Sequence, residues 1–208
     1  MNPVVRFAPS PTGQLHIGGV RTALFNYLFA LKNNGTFLLR IEDTDLERSN
    51  DTFTEQIVES LGWLGFKYQG NPIKQSSRTK RYQEVIENLL KTGRAYRCFA
   101  SVQELEKLRN EKDNYLYPRI WRDRSEKEIE AKLQKKENYV IRIKIPLNGN
   151  IHFKDLVYGD INTDCSELDD FIIARSDGTP TYNFTVVVDD HDMQVSHVIR
   201  GEDHISNT

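Results

Sequence analysis

Short apolar runs alternate with longer amphipathic stretches along the first 65 residues. Val4-Val5-Arg6-Phe7 reads as a short buried strand. Residues 8–13, Ala-Pro-Ser-Pro-Thr-Gly, read as a loop, because two prolines and a glycine exclude regular structure. From Ile17 to Leu31 the apolar spacing predicts a helix whose core face carries Val20, Leu24, Tyr27, Leu28 and Leu31. Asn33-Asn34-Gly35 stops it. Thr36–Ile41 is a second strand, and Glu42 to Ser49 an acidic loop. A second helix runs from Asp51 to Leu61, with Asn50 or Asp51 as its cap, and the stretch from Gly62 to Gly65 ends it. Strand, helix, strand, helix is the βαβ pattern of a doubly wound parallel α/β sheet.

A third helix is predicted over Ser77–Lys91, after which the texture changes. Tyr96–Phe99 and the alternating Tyr139–Ile145 read as strands, Val102–Asn110 and Ser125–Lys136 as charged helices. His152-Phe153 and Leu156-Val157-Tyr158 flank short turns. Thr181–Val188 is apolar and β-branched, like a buried parallel strand returning to the first sheet, and Gln194–Ile199 is one more strand candidate. The expected organisation is residues 1–92 as the first half of an α/β domain, 93–180 as an inserted α+β domain, and 181–208 as the start of the second half.

Composition narrows the class. With 38% hydrophobic and 28% charged residues the chain has the balance of a soluble globular protein. No stretch approaches the ~18 apolar residues of a membrane span, and the N-terminus lacks a signal-peptide pattern. Two cysteines, Cys98 and Cys165, are too few for a disulfide framework and suit a reducing, cytoplasmic setting. The net charge of −2 argues against a dedicated basic nucleic-acid-binding domain. Its distribution is uneven: Lys74 to Arg97 is basic and Glu42 to Glu59 acidic. A face for phosphate beside a pocket for a cation would look like this, and so would ordinary solvated helix faces.

The most informative stretch is RFAPSPTGQLHIGG, Arg6 to Gly19, between the first strand and the first helix. Open α/β sheets bind ligands there, at the C-terminal ends of their strands, and a helix N-terminus favours phosphate. His16 can donate a hydrogen bond to a phosphate oxygen, and Gly18 and Gly19 would let a flat base lie against the backbone. Alternatively, His16 caps the helix and the glycines permit tight packing. Neither a P-loop nor a dinucleotide fingerprint is present.

RFAPSPTGQLHIGG followed by VRTALFNYLFA resembles the first nucleotide-binding motif of glutamyl-tRNA synthetases. RIEDTDLERS, Arg40 to Ser49, resembles the next block of that family, and PTYNFTVVVDDHDM with VIRGEDHISNT resembles a third. The resemblance implies a Rossmann-like class I catalytic domain with an inserted domain for the acceptor end of tRNA. It implies activation of L-glutamate with ATP and Mg²⁺, followed by transfer of the glutamyl group to tRNA(Glu), in a cytoplasmic monomer with no membrane association. It places His16, Gly18 and Gly19 in the catalytic machinery, with Glu202, Asp203 and His204 near the nucleotide. Ser10 and Glu42 would hold the α-amino side of glutamate, Tyr182 would line the pocket, and Arg6 and Arg200 would face carboxylate oxygens.

The charges fit that substrate, because an ammonium needs an acid and guanidinium grips carboxylate in a two-pronged fork. Glu42, Asp43 and Asp45 could instead suit Mg²⁺ or Ca²⁺, but no EF-hand spacing follows. Many family members open a zinc site with Cys-x-Cys; here Ala100 stands at the second thiol position, so no zinc is expected. The chain ends before any KMSKS-like segment and before anticodon-reading domains, so it is expected to be an N-terminal fragment, inactive or weakly active by itself. Interleaved aromatic and basic residues, Tyr96, Arg97, Tyr115, Tyr117, Arg119, Trp121 and Arg122, would suit a single-stranded RNA end. The rival readings are a paralogue that glutamylates a tRNA base, a glutaminyl-tRNA synthetase, a nucleotidylyltransferase with a similar His–Gly motif, and a non-catalytic tRNA-binding module.

Overall fold

The computed structural model describes residues 2–44, 49–112 and 116–208. Asp45 and Tyr115, both named above, lie outside the described residues. The chain forms two compact units, Met1–Tyr82 with Tyr182–Thr208, and Gln83–Thr181.

The first unit carries a parallel sheet of three strands, β1 (Val4–Phe7), β2 (Thr36–Ile41) and β3 (Ile73–Lys74), in the order β1-β2-β3. Its core gathers Val5, Phe7, Phe37, Leu39 and Ile41 from the strands, with Ile57 and Leu61 from α2 (Asp51–Trp63). Asn50 caps α2, its side chain accepting the Thr52 N–H at 2.9 Å. Gly35 allows the turn into β2: a Cβ there would collide with the Pro3 carbonyl, which accepts the Thr36 N–H at 2.7 Å.

Two expectations are corrected here. Helix α1 (Ile17–Lys32) does form, but it buries Ala23, Asn26 and Ala30 rather than the leucine stripe. Leu24, Leu28 and Leu31 are exposed, while Val20 and Tyr27 are half-buried. A helix lying close on a sheet needs small side chains at the contact, and Asn26 fits because its Nδ2 donates to Thr22 O at 2.9 Å and to Ile199 O at 3.0 Å. The second correction concerns Thr181–Val188, read as a strand. Residues Tyr182–Asp192 form helix α6, which buries Phe184, Thr185, Val186, Val188 and Asp189 and exposes Val187. Tertiary contacts, including the buried bonds of Asp189, override the β-branched composition. Residues 194–199 form no strand either, yet Ser196 docks on β1, its N–H donating to Val4 O at 2.9 Å.

The second unit is α+β. An antiparallel sheet pairs β4 (Ala95–Cys98) with β5 (Val140–Ile143), and β5 with β8 (Ile172–Ala174). A separate hairpin pairs β6 (Asn150–Asp155) with β7 (Gly159–Asp164): of the two stretches read as flanking turns, His152-Phe153 lies within β6 and Leu156-Val157-Tyr158 forms the turn itself. Helices α4 (Val102–Lys112) and α5 (Glu126–Gln134) complete it; Ser125 and Glu128 form a capping box at the start of α5. The division from the first unit falls inside α3 (Thr79–Lys91).

Much of the aromatic and basic mixture proposed for RNA makes this unit's interior. Tyr96 and Tyr117 are buried, with Ile120 and Trp121 packed against them. Asp170, fully buried, accepts the Tyr96 hydroxyl at 2.9 Å, Arg122 Nη1 at 2.7 Å and the Ile145 N–H at 3.0 Å. Burial first, then the Asp170 charge, pushes the Tyr96 phenol upward. Cys98 meets the Tyr117 hydroxyl at 3.1 Å, and Cys165 is buried elsewhere in the unit.

Candidate functional site

Three parts of the first unit converge at the C-terminal ends of β1 and β2. Strand β1 delivers Arg6 and the following loop, β2 delivers Glu42, and the loop is tied across them by the Glu42 N–H donating to Pro9 O at 2.9 Å. Together with Thr22, Tyr182 at the start of α6, and Arg200 and His204 from the last segment, they line a cavity of about 140 Å³. Of the residues expected in the site, Arg6, Glu42, Tyr182, Arg200 and His204 are therefore brought together. Ser10 sits exposed in the loop, and Glu202 and Asp203 stand exposed on a short 3₁₀ turn, Glu202–Asn207, outside the cavity lining.

His16, Gly18 and Gly19 stand at the start of α1. His16 is the N-cap, and its Nδ1 accepts the Gly18 N–H at 3.1 Å. A nitrogen that accepts carries no proton, so the neutral ring holds its proton on Nε2, a donor directed away from the cap bond. The space beside the glycines is filled from the chain itself: a Cβ on Gly18 would meet His16 Cε1 at 2.9 Å, and one on Gly19 would meet Leu15 Cδ1 at 2.8 Å. No acid sits in the first turn of α1, so its positive end is left uncompensated by its own side chains.

Under the cavity lies a network of buried charges that the sequence reading missed. Arg40, with no exposure at all, donates from Nη2 to Glu42 Oε1 at 3.2 Å and from Nη1 to Asp190 Oδ1. Asp190 also receives Arg6, Nε to Oδ1 at 3.0 Å and Nη2 to Oδ2 at 3.1 Å. Its neighbour Asp189, fully buried, accepts Gln75 Nε2 at 2.7 Å, Arg78 Nε at 2.6 Å and the Tyr82 hydroxyl at 3.0 and 2.9 Å. A buried charge is tolerated only when paired and hydrogen-bonded, and each of these is. The Asp-Asp pair near the end of α6 was visible as acids in the sequence, but not its partners, which are more than 100 residues away.

Arg200 is the exception. It is half-buried at the cavity, donates to Thr208 Oγ1, and has no carboxylate within ion-pair distance among the described residues. Burial, helped by the like charge of Arg6 and opposed by Tyr182, leaves its guanidinium below its usual range. Burial also raises the Glu42 carboxyl above its usual range, against the pull of Arg40.

As for a metal, one oxygen of Glu42 is taken by Arg40, and Asp43 accepts the Ser76 N–H and hydroxyl at 2.8 and 2.6 Å. Among the described residues, no group of three or more His, Cys, Asp or Glu side chains is arranged to hold a metal ion. No described helix is long and apolar enough to cross a membrane.

A parallel α/β sheet whose strand ends open on a charged cavity beside a His–Gly helix start defines a class I synthetase type of catalytic domain. The chain belongs to the family of class I tRNA synthetases (E and Q), catalytic domain, whose pattern it matches over residues 3–208. It is 54% identical over 208 residues to a glutamate–tRNA ligase of Coprothermobacter proteolyticus, covering 98% of this chain and 44% of that one. A glutamate–tRNA ligase of Lawsonia intracellularis is 52% identical over 211 residues, covering 99% of this chain and 43% of its own. Among solved structures, a glutamate–tRNA ligase of Elizabethkingia meningosepticum, in complex with its amino acid, superposes with a TM-score of 0.87 at 40% identity, over 99% of this chain and 45% of that one. The chain thus spans less than half the length of these relatives.

Proposed function

We propose that the cavity of the first unit binds L-glutamate, and that the protein activates it with ATP as glutamyl adenylate and passes it to the 3′ end of tRNA(Glu). The observation that carries this reading is Arg200: a half-buried guanidinium without an acid partner among the described residues, on a cavity that also presents Glu42. Such a cation calls for an anion from outside, and a carboxylate suits its fork. Arg6 offers a second guanidinium and Glu42 a carboxylate for the ammonium, so one ammonium and two carboxylates find partners of opposite charge.

The nucleotide belongs at the start of α1. The Nε2 proton of His16 and the uncompensated helix end suit phosphate oxygens, where they would hold charge as it shifts to the leaving pyrophosphate. Magnesium would arrive with the ATP and supply further positive charge to the phosphates. The glutamate α-carboxylate attacks the α-phosphorus and pyrophosphate leaves; a terminal ribose hydroxyl of tRNA then attacks the adenylate carbonyl, losing its proton as AMP leaves. No side chain is required as a covalent nucleophile; the residues orient and stabilise charge. The second unit would take the acceptor end of the tRNA. A cytoplasmic setting accords with two buried thiols that remain unbridged.

Equilibrium binding of labelled glutamate and glutamine to the chain, and to Arg200→Gln, tests the reading. Glutamate should bind the wild type and glutamine should not compete, because an amide leaves a guanidinium unpaired. Arg200→Gln should lose the preference. Equal binding of both amino acids to the wild type would sink the carboxylate assignment. A charging assay with ATP, Mg²⁺, total tRNA and each amino acid, on a form with the length of the relatives, tests the full reaction.

A further inference from the structure

Arg6 is only 5% exposed, yet it reaches the cavity wall. Its Nε and Nη2 are both taken by Asp190, one to each carboxylate oxygen. A two-pronged bond fixes the plane of a guanidinium as well as its place. What is left free to turn toward a ligand is Nη1, on the opposite side of the group from that fork. Asp190 does not itself line the cavity. It is held in turn by Arg40, which bonds the same Oδ1 and is anchored to Glu42 and, at 3.8 Å, to Asp189. Asp189 is fixed by Gln75, Arg78 and Tyr82. The orientation of Arg6 is thus tied through two carboxylates to the fully buried Arg40 and to the ordered interior of the unit.

Asp190 has a second effect. Arg6 and Arg200 both face the cavity and repel each other. Asp190 moderates that repulsion, although it shares its charge between Arg6 and Arg40.

We propose that Asp190 is a positioning residue, which never touches the ligand but aims Arg6 Nη1 at a carboxylate of the bound amino acid. The proposal rests on the reading of this cavity as the glutamate site. It differs from a simple need for negative charge, because the bond is made by both carboxylate oxygens at one length of side chain. Asp190→Asn keeps the volume but replaces one acceptor with a donor. Asp190→Glu keeps the charge but moves the fork outward by one methylene.

The test uses the 208-residue chain and both variants, with glutamate and ATP affinities measured calorimetrically and the arginine Nε–H resonances followed by NMR on ¹⁵N-labelled protein. In the wild type the Arg6 Nε–H should be resolved and protected from exchange, and both variants should lose that protection. Both should weaken glutamate roughly 10- to 100-fold, the range for misplacing a supporting contact, with ATP affinity within about twofold. Full glutamate affinity in Asp190→Glu would reduce the role to charge and overturn the proposal. So would equal losses for glutamate and ATP, or variants that no longer fold, since each marks a purely structural acid. A wild type that binds glutamate alongside an unchanged Asp190→Asn overturns the proposal alone. A wild type that binds no glutamate overturns the cavity reading and the proposal with it.

Discussion

His16 folds its imidazole back over Gly18, whose N–H it accepts at 3.1 Å, and a Cβ on Gly18 would sit 2.9 Å from the ring. Gly18 has ordinary helical geometry, so alanine there gains up to ~1 kcal/mol of helix preference in principle. The ring must nevertheless move, and with it the Nε2 donor. Gly18→Ala should therefore leave unfolding stability within about 1 kcal/mol of wild type, or raise it, while ATP binding weakens. Urea unfolding beside ATP titration separates the two; equal losses in both would show that the glycine serves packing alone.

Tyr82 spends its hydroxyl on Asp189, a carboxylate with no exposure, and burial followed by the Asp189 charge pushes the phenol well above its usual range. Tyr82→Phe removes that donor without changing the packing volume. Gln75, Arg78 and Arg40 still face the carboxylate, so the loss should be near one hydrogen bond to a charged group, about 1.5–3 kcal/mol. Urea denaturation at pH 7 measures it. A change below about 0.5 kcal/mol would mean the remaining donors compensate completely.

Much of this architecture was legible in the sequence because local signals agreed with the tertiary result. The loop of prolines and glycine after β1, the Asn50 cap and the stop at Asn33 to Gly35 each follow from backbone chemistry alone. Helix α6 was not legible: β-branched residues favour a strand, and the contacts that fix the helix, such as Asp189 with Gln75, Arg78 and Tyr82, reach residues more than 100 places away. The buried face of α1 is hidden for a related reason: its leucines are exposed, and Ala23, Asn26 and Ala30 make the contact. In the site, Arg6, Glu42 and Arg200 were found through charge and position. Their supports, Arg40 and Asp190, depend on pairs separated by 150 and 184 residues, which no local pattern encodes.

Asp192 ends α6 within reach of Arg81 and Arg78. The Arg81 hydrogen bond, then His191 and Arg78, hold its carboxyl well below the usual range in spite of partial desolvation. A carboxyl whose folded value is depressed stabilises the fold above its unfolded value near 4, and that contribution disappears as pH falls toward the folded value. Unfolding free energy should therefore drop from pH 5 to pH 3, and Asp192→Asn should drop less steeply over the same window. Parallel curves for the two proteins would assign the acid loss elsewhere.

Glu42 behaves in the opposite sense. Burial raises its carboxyl above the usual range, with Arg40 and then Arg6 pulling it back. In the folded chain it takes up a proton at higher pH than an exposed glutamate does, so its charged form costs stability that is recovered on acidification. Ligand binding inverts the consequence. If Glu42 faces the ammonium of glutamate, protonation removes the attraction, and affinity should begin to fall on acidification while the substrate's own carboxylates, near or below 4.3, are still charged. Glu42→Gln should weaken glutamate at neutral pH, by about 1.5–3 kcal/mol for a charged hydrogen bond, and should flatten the acid limb. Calorimetric titration of both proteins over the same acid range decides it: a wild-type profile that runs parallel to that of Glu42→Gln would remove Glu42 from the ammonium site.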